Sequence, residues 1–258
     1  MEELKIAALQ YNIIWENKMA NFELIEKELL PEVDEDTELI ILPEMFATGF
    51  TMNVSAMAEN EEGASIKWMK KISRMRNCAI CGSMPFKEAD KCHNRFVFIA
   101  NGDLIGSYDK RHLFSYGVED QHYSPGKEKV IVEWKEWKIC LQICYDLRFP
   151  VFSRNAEDYD LLIYVASWPD KRIEAWSTLL KARAIENLSY VCGLNRIGLD
   201  GSNLNYIGAS AIIDHSGKIL QELGNKKGVI CQTIQKKNML AFREKFSFLE
   251  DRDQFKIL

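Results

Sequence analysis

Three side chains able to do nucleophilic or proton chemistry stand at the ends of strand-like stretches of this sequence. Glu44 ends Leu39-Ile40-Ile41-Leu42-Pro43-Glu44, Lys110 follows Ser107-Tyr108-Asp109, and Cys144 ends Ile139-Cys140-Leu141-Gln142-Ile143. A thiolate is a strong nucleophile, a carboxylate can relay a proton, and an ammonium can hold developing negative charge. A residue directly after a buried strand sits where a sheet opens to solvent. Taken singly, each has a plainer explanation: Glu44 an acid at a helix start, Lys110 a solvated loop charge, Cys144 another buried thiol.

Other common chemistries lack their residues. No Gly-x-x-x-x-Gly-Lys-Ser/Thr phosphate loop occurs, no Gly-x-Gly-x-x-Gly follows the first strand, and no Gly-x-Ser-x-Gly elbow is present. The four histidines (His93, His112, His122, His215) include no pair at the i, i+4 spacing of a helical zinc site. Cys78 and Cys81 form a Cys-x-x-Cys, but inside an apolar run and without a second pair, which suits buried structural thiols.

The elements that must position these residues show in the hydrophobic pattern. Near-continuous apolar runs predict strands over Leu4–Gln10, Glu38–Leu42, Cys78–Met84, Arg95–Ala100 and Asp160–Ala166, the mark of strands covered on both faces. Helical spacing of apolar residues predicts helices over Asn17–Leu30, Ala64–Arg76 and Lys171–Asn187. Turn signals predict hairpins at Asn101-Gly102, at Lys135-Glu136 between Lys129–Trp134 and Trp137–Ile143, and at His215–Lys218 between Ala209–Asp214 and Ile219–Glu222. Ser189–Asn195 reads as a strand and the polar Gly198–Tyr206 as an exposed loop. Crossover helices mixed with hairpins imply α/β architecture with mixed sheets, and without a linker or repeat the 258 residues form one domain.

Composition narrows the partners. Asp plus Glu is 38 against 33 for Lys plus Arg, a net charge of -5, which disfavours nucleic acid. No apolar run approaches the roughly 20 residues of a membrane span. Met1–Lys5 shows no secretory pattern, and seven cysteines, an odd number, argue for free thiols; a cytoplasmic protein is expected.

Leu42-Pro43-Glu44, Tyr108-Asp109-Lys110-Arg111-His112-Leu113-Phe114 and Cys144-Tyr145-Asp146-Leu147-Arg148-Phe149-Pro150, in this order, resemble the nitrilase superfamily of carbon–nitrogen hydrolases over nearly the whole chain. Glu119, six residues before Pro125-Gly126, matches the family's second glutamate, and Ala166-Ser167-Trp168-Pro169 resembles the omega-amidase branch. The resemblance implies a four-layer α-β-β-α sandwich of two mixed β-sheets. It also implies at least a homodimer, with about 233–258 packing on a partner subunit.

For an amide substrate the matching residues divide the work. Cys144 attacks; Glu44 takes the thiol proton, hands it to the departing ammonia and then activates water. Lys110 lowers the thiol pKa and holds the oxyanion with the backbone N–H of Tyr145, while Glu119 orients Lys110 or the substrate. No cofactor or metal is required. For a 2-oxo acid amide, 2-oxoglutaramate above all, Arg148 would take the carboxylate, or else pair with a nearby acid such as Asp146; Phe46, Phe114, Tyr116 and Trp168 would supply apolar walls. The alternatives are an N-carbamoyl, aliphatic amide or nitrile hydrolase on the same residues, a Cys–His hydrolase pairing Cys144 with His112, and a silent binding protein on the same scaffold.

Overall fold

A computed structural model describes residues 2–257. Its first half forms strands β1 (Glu3–Gln10), β2 (Leu39–Ile41), β3 (Ala79–Glu88), β4 (Lys91–Ala100) and β5 (Asp103–Asp109), with helices α1 (Lys18–Leu24) and α2 (Ala64–Arg76) between the first three. The second half forms β6 (Val130–Trp134), β7 (Trp137–Ile143), β8 (Leu161–Ala166), helix α3 (Ile173–Asn187), β9 (Tyr190–Asn195), a small pair β10 (Ile197–Leu199) and β11 (Asn205–Ile207), β12 (Ser210–Ile213), β13 (Ile219–Leu223), β14 (Gly228–Gln235) and helix α4 (Lys236–Lys245).

Two six-stranded sheets result, ordered β14-β1-β2-β3-β4-β5 and β13-β12-β9-β8-β7-β6. Both follow one plan: three parallel strands at the centre (β1, β2, β3; β7, β8, β9) and antiparallel strands outside them. Because successive strand residues point to opposite faces, Leu4, Ile6 and Ala8 of β1 join the core shared with the second sheet. Ala7 and Leu9 instead meet Phe22 and Ile25 of the α1 segment and Met69 and Ile72 of α2. On the far side α3 lies close to β9, where a Cβ on Gly193 would come within 2.3 Å of Leu180. The layers are therefore α-β-β-α, as expected.

Two segments depart from the expectation. The helix over Asn17–Leu30 is regular only to Leu24; it widens over Ile25–Leu29 and tightens at Leu30–Glu32, ahead of the extended Val33. The Gly198–Tyr206 stretch is not simply an exposed loop. Asp200 accepts the N–H groups of Ser202 and Leu204 and the buried Tyr206 hydroxyl (2.8–3.0 Å), so its polar residues close the β10–β11 turn. The C-terminal segment is anchored on its own chain. β14 pairs with β1 along its full length, Met239 of α4 is fully buried, and Arg243 donates to the carbonyls of Leu188 and Tyr159. Leu240, Phe248 and Phe255 stay exposed.

Candidate active site

Glu44 leaves β2 on a turn whose course is fixed by β3. The Met45 N–H donates to the Ser83 hydroxyl (3.0 Å) and the Phe46 N–H to its carbonyl (3.2 Å), while Met45 takes a left-handed φ of 47°. That reversal drives Glu44 inward, fully buried between the sheets. Lys110 follows β5; its N–H donates to the Asn94 carbonyl and its carbonyl accepts from Gly126, both at 3.0 Å. A Cβ on Gly126 would stand 2.1 Å from the Asp109 carbonyl, which explains why a glycine follows Pro125 there. Glu119 is turned inward by Val118, a β-branched residue at φ 56°, a strained geometry costing about 1–3 kcal/mol.

These three residues make one buried charge cluster. The Lys110 ammonium lies 3.0 Å from Glu44 Oε1 and 3.1 and 2.9 Å from the two oxygens of Glu119. Its three hydrogens serve two carboxylates, which leaves at most one for a substrate. Burial alone would depress the ammonium pKa, but Glu119 and then Glu44 hold it well above the ordinary value. Burial raises Glu119 above the usual carboxylate range, and Lys110 offsets only part of that. Asn94 of β4, which the sequence reading missed, ties the acids together: its amide donates to Glu44 Oε1 (2.9 Å) and Glu119 Oε1 (3.0 Å). The remaining Glu44 oxygen accepts the Ser167 N–H just past β8 (2.8 Å).

Cys144 stands where β7 ends, in the left-handed region at φ 44°. A non-glycine residue there needs outside support, and Asp146 gives it. One of its oxygens accepts the Ile143 N–H (2.9 Å) and the Tyr108 hydroxyl (2.8 Å); the other accepts the His112 N–H (3.1 Å) and lies 2.7 Å from His112 Nδ1. Tyr145 follows in the first turn of the 3-10 segment Cys144–Arg148, where its N–H has no acceptor inside the turn. The thiol points to the Ser167 carbonyl at 3.8 Å. Burial pushes the Cys144 thiol well above its ordinary pKa and Glu44 adds to this; Lys110 pulls it down, but by less. Lys110 thus lowers the thiol pKa as expected, but burial and Glu44 outweigh it and the net shift is upward.

A cavity of about 440 Å³ brings Cys144, Glu44, Lys110, Tyr145, Arg148, Phe114 and Trp168 together. Two expected walls are elsewhere. Phe46 is fully buried behind the site, packed on Phe22 and Trp68, because the turn that aims Glu44 inward sends Phe46, two residues on, into the helix-facing core. Tyr116 is 87% exposed, because the Ser115–Gly117 turn that leads to Glu119 bulges outward. Trp15, Phe50, Leu204 and Tyr206 line the cavity instead, Leu204 from the β10–β11 turn and Tyr206 from β11. His112 is absent from that lining; it is bound to Asp146 and stacked on Phe149 (3.8 Å between ring centres), which removes the Cys–His pairing. Nor does Arg148 pair with Asp146: its guanidinium lies over the Trp168 ring at 4.9 Å.

No group of three or more His, Cys, Asp and Glu side chains suited to a metal ion occurs among the described residues. None of their helices is long and apolar enough to cross a membrane.

The carbon–nitrogen hydrolase family model matches residues 5–244. An omega-amidase of Yersinia enterocolitica is 42% identical, with 100% of each chain covered. A 2-oxoglutaramate amidase of Bacillus subtilis is 32% identical over 95% of this chain and 96% of its own. Among solved structures, a CN-hydrolase superfamily protein of Xanthomonas campestris, which has an arsenic adduct in its active site, superposes with a TM-score of 0.96 at 38% identity, covering both chains completely.

Proposed function

The chain belongs to the carbon–nitrogen hydrolase family, and on that premise we propose that it is an omega-amidase hydrolysing 2-oxoglutaramate to 2-oxoglutarate and ammonia. The observation that carries this is that Glu44, Lys110 and Cys144 line one small cavity, with the buried Glu119 ion-paired to Lys110 behind it.

The thiol enters neutral, so its proton must leave as the sulfur attacks. Glu44 takes that proton while the Sγ–C bond forms and the carbonyl π electrons move onto oxygen. The oxyanion is held by the Lys110 ammonium and the Tyr145 N–H; one such donor is worth about 100- to 1000-fold in turnover. Glu44 then delivers the proton to the amide nitrogen, the C–N bond breaks, and ammonia leaves a thioester on Cys144. In the second half Glu44 removes a proton from water, hydroxide adds to the thioester, and the thiolate departs and is reprotonated. Asn94 and the Ser167 N–H hold Glu44 in place through both halves, and Glu119 anchors Lys110.

Arg148, at the cavity, is the cation for the substrate carboxylate, and Phe114 and Trp168 flank its carbon chain. The seven free cysteines fit a reducing cytoplasm, and the exposed apolar residues after α4 fit a homodimer.

The test is an acid-quenched turnover read by intact mass and peptide mapping, beside an ammonia-release panel of amides, N-carbamoyl compounds and nitriles. A 2-oxoglutaryl adduct on Cys144, with 2-oxoglutaramate the best substrate, is expected. An adduct on another cysteine, or a better N-carbamoyl or nitrile substrate, overturns the proposal.

A further inference from the structure

The partners of the charges around the cavity are unequal. Its acids are all engaged: Glu44 by Lys110, Asn94 and the Ser167 N–H, Asp200 by two backbone N–H groups and Tyr206, and Glu16 by the Thr51 hydroxyl and the Asn53 amide. Lys110 is engaged likewise. Two cations are not. Among the described residues no carboxylate lies within 4.0 Å of the guanidinium of Arg148 or of Arg172, although both line the cavity.

Arg172 is the better placed of the two. It stands just before α3, its carbonyl accepts the Trp168 indole N–H (2.8 Å), and its guanidinium lies over the Phe114 ring at 5.2 Å. It is half-buried, whereas Arg148 is exposed, so its charge is less screened by water. A guanidinium braced on an aromatic wall and lacking an acid is prepared for an anionic ligand.

Resting on the omega-amidase reading above, we propose that Arg172 is a specificity-determining residue: with Arg148 it forms a two-guanidinium subsite for the carboxylate and 2-oxo oxygen of the substrate. The same pair rejects the α-ammonium of a 2-amino acid amide, since no acid in the cavity is free to receive it.

The experiment compares kcat/KM for 2-oxoglutaramate, glutamine and the neutral pentanamide in wild type, Arg172→Ala, Arg172→Lys and Arg172→Glu. Arg172→Ala should lose about 100-fold on 2-oxoglutaramate, chiefly in KM, as expected for removal of charged hydrogen bonds, and less than about 3-fold on pentanamide. Arg172→Lys should recover part of the loss. Arg172→Glu should raise the ratio of glutamine to 2-oxoglutaramate activity by more than about 100-fold, a reversal that a purely structural role does not give. Pentanamide turnover reports that each variant is folded. Equal losses on charged and neutral amides, or an unchanged ratio in Arg172→Glu, overturn the role of Arg172 and leave the omega-amidase reading intact. A wild type that does not prefer 2-oxoglutaramate to pentanamide overturns both.

Discussion

Asn94→Asp is the sharpest probe of the charge cluster, because it changes one nitrogen to oxygen and almost nothing in shape. The amide nitrogen stands 2.9 Å from one glutamate oxygen and 3.0 Å from the other. A carboxylate oxygen there would face both acids at about that distance. At an effective dielectric of about 20, two like charges ~3 Å apart repel by about 5 kcal/mol, an upper bound the site avoids by keeping a proton. Added negative charge favours the protonated carboxyl, so the proton is retained to higher pH. The acidic limb of kcat/KM should therefore move up by at least about one pH unit, with a 10-fold or larger loss at neutral pH. Ammonia release from pH 5 to 9.5 measures it, with circular dichroism confirming the fold. An acidic limb within about 0.3 pH unit of wild type, in a folded variant, would refute the idea that Asn94 governs the protonation of these acids.

Because burial holds the Cys144 thiol above its ordinary pKa, alkylation by iodoacetamide should quicken continuously from pH 7 to 10; a rate plateau already reached below pH 7 would mean a resting thiolate. Lys110→Met should lower kcat by about 100- to 1000-fold and also destabilise the protein by about 3–5 kcal/mol, since two buried acids lose their cation; retention of wild-type stability in urea would contradict the pairing. Met239→Ala should cost about 2–5 kcal/mol in urea unfolding if α4 is seated on its own chain; a change below 0.5 kcal/mol would place that helix elsewhere in solution.

Legibility in the sequence depended on how local each determinant was. The parallel strands were plain because both faces are covered, and α2 because four apolar residues repeat at helical spacing and a left-handed Asn77 ends it. β14 was obscured because its inward residues are mixed with Gln232, Thr233 and Gln235, and its register depends on β1, more than 200 residues away. Glu44 and Cys144 were legible as chemistry directly after apolar runs, and Lys110 as a cation just past a hairpin strand. Asn94 left a faint sign: it occupies the same face of β4 as the buried Phe96 and Phe98, a polar residue in an apolar alternation. The misplaced walls, Phe46 and Tyr116, were unreadable because each follows from a turn direction, the one by Met45, the other by Ser115–Gly117.

Glu44 and Lys110 come off the first sheet, Cys144 and Ser167 off the second. The reaction centre is thus a property of the seam, and each half of the chain by itself holds only inert parts. During synthesis the sulfur gains its proton acceptor only when the halves close, so a nascent or partly opened molecule carries an ordinary thiol. Activity recovered on refolding would then report the closing of the two layers and would lag behind the return of strand signal within each.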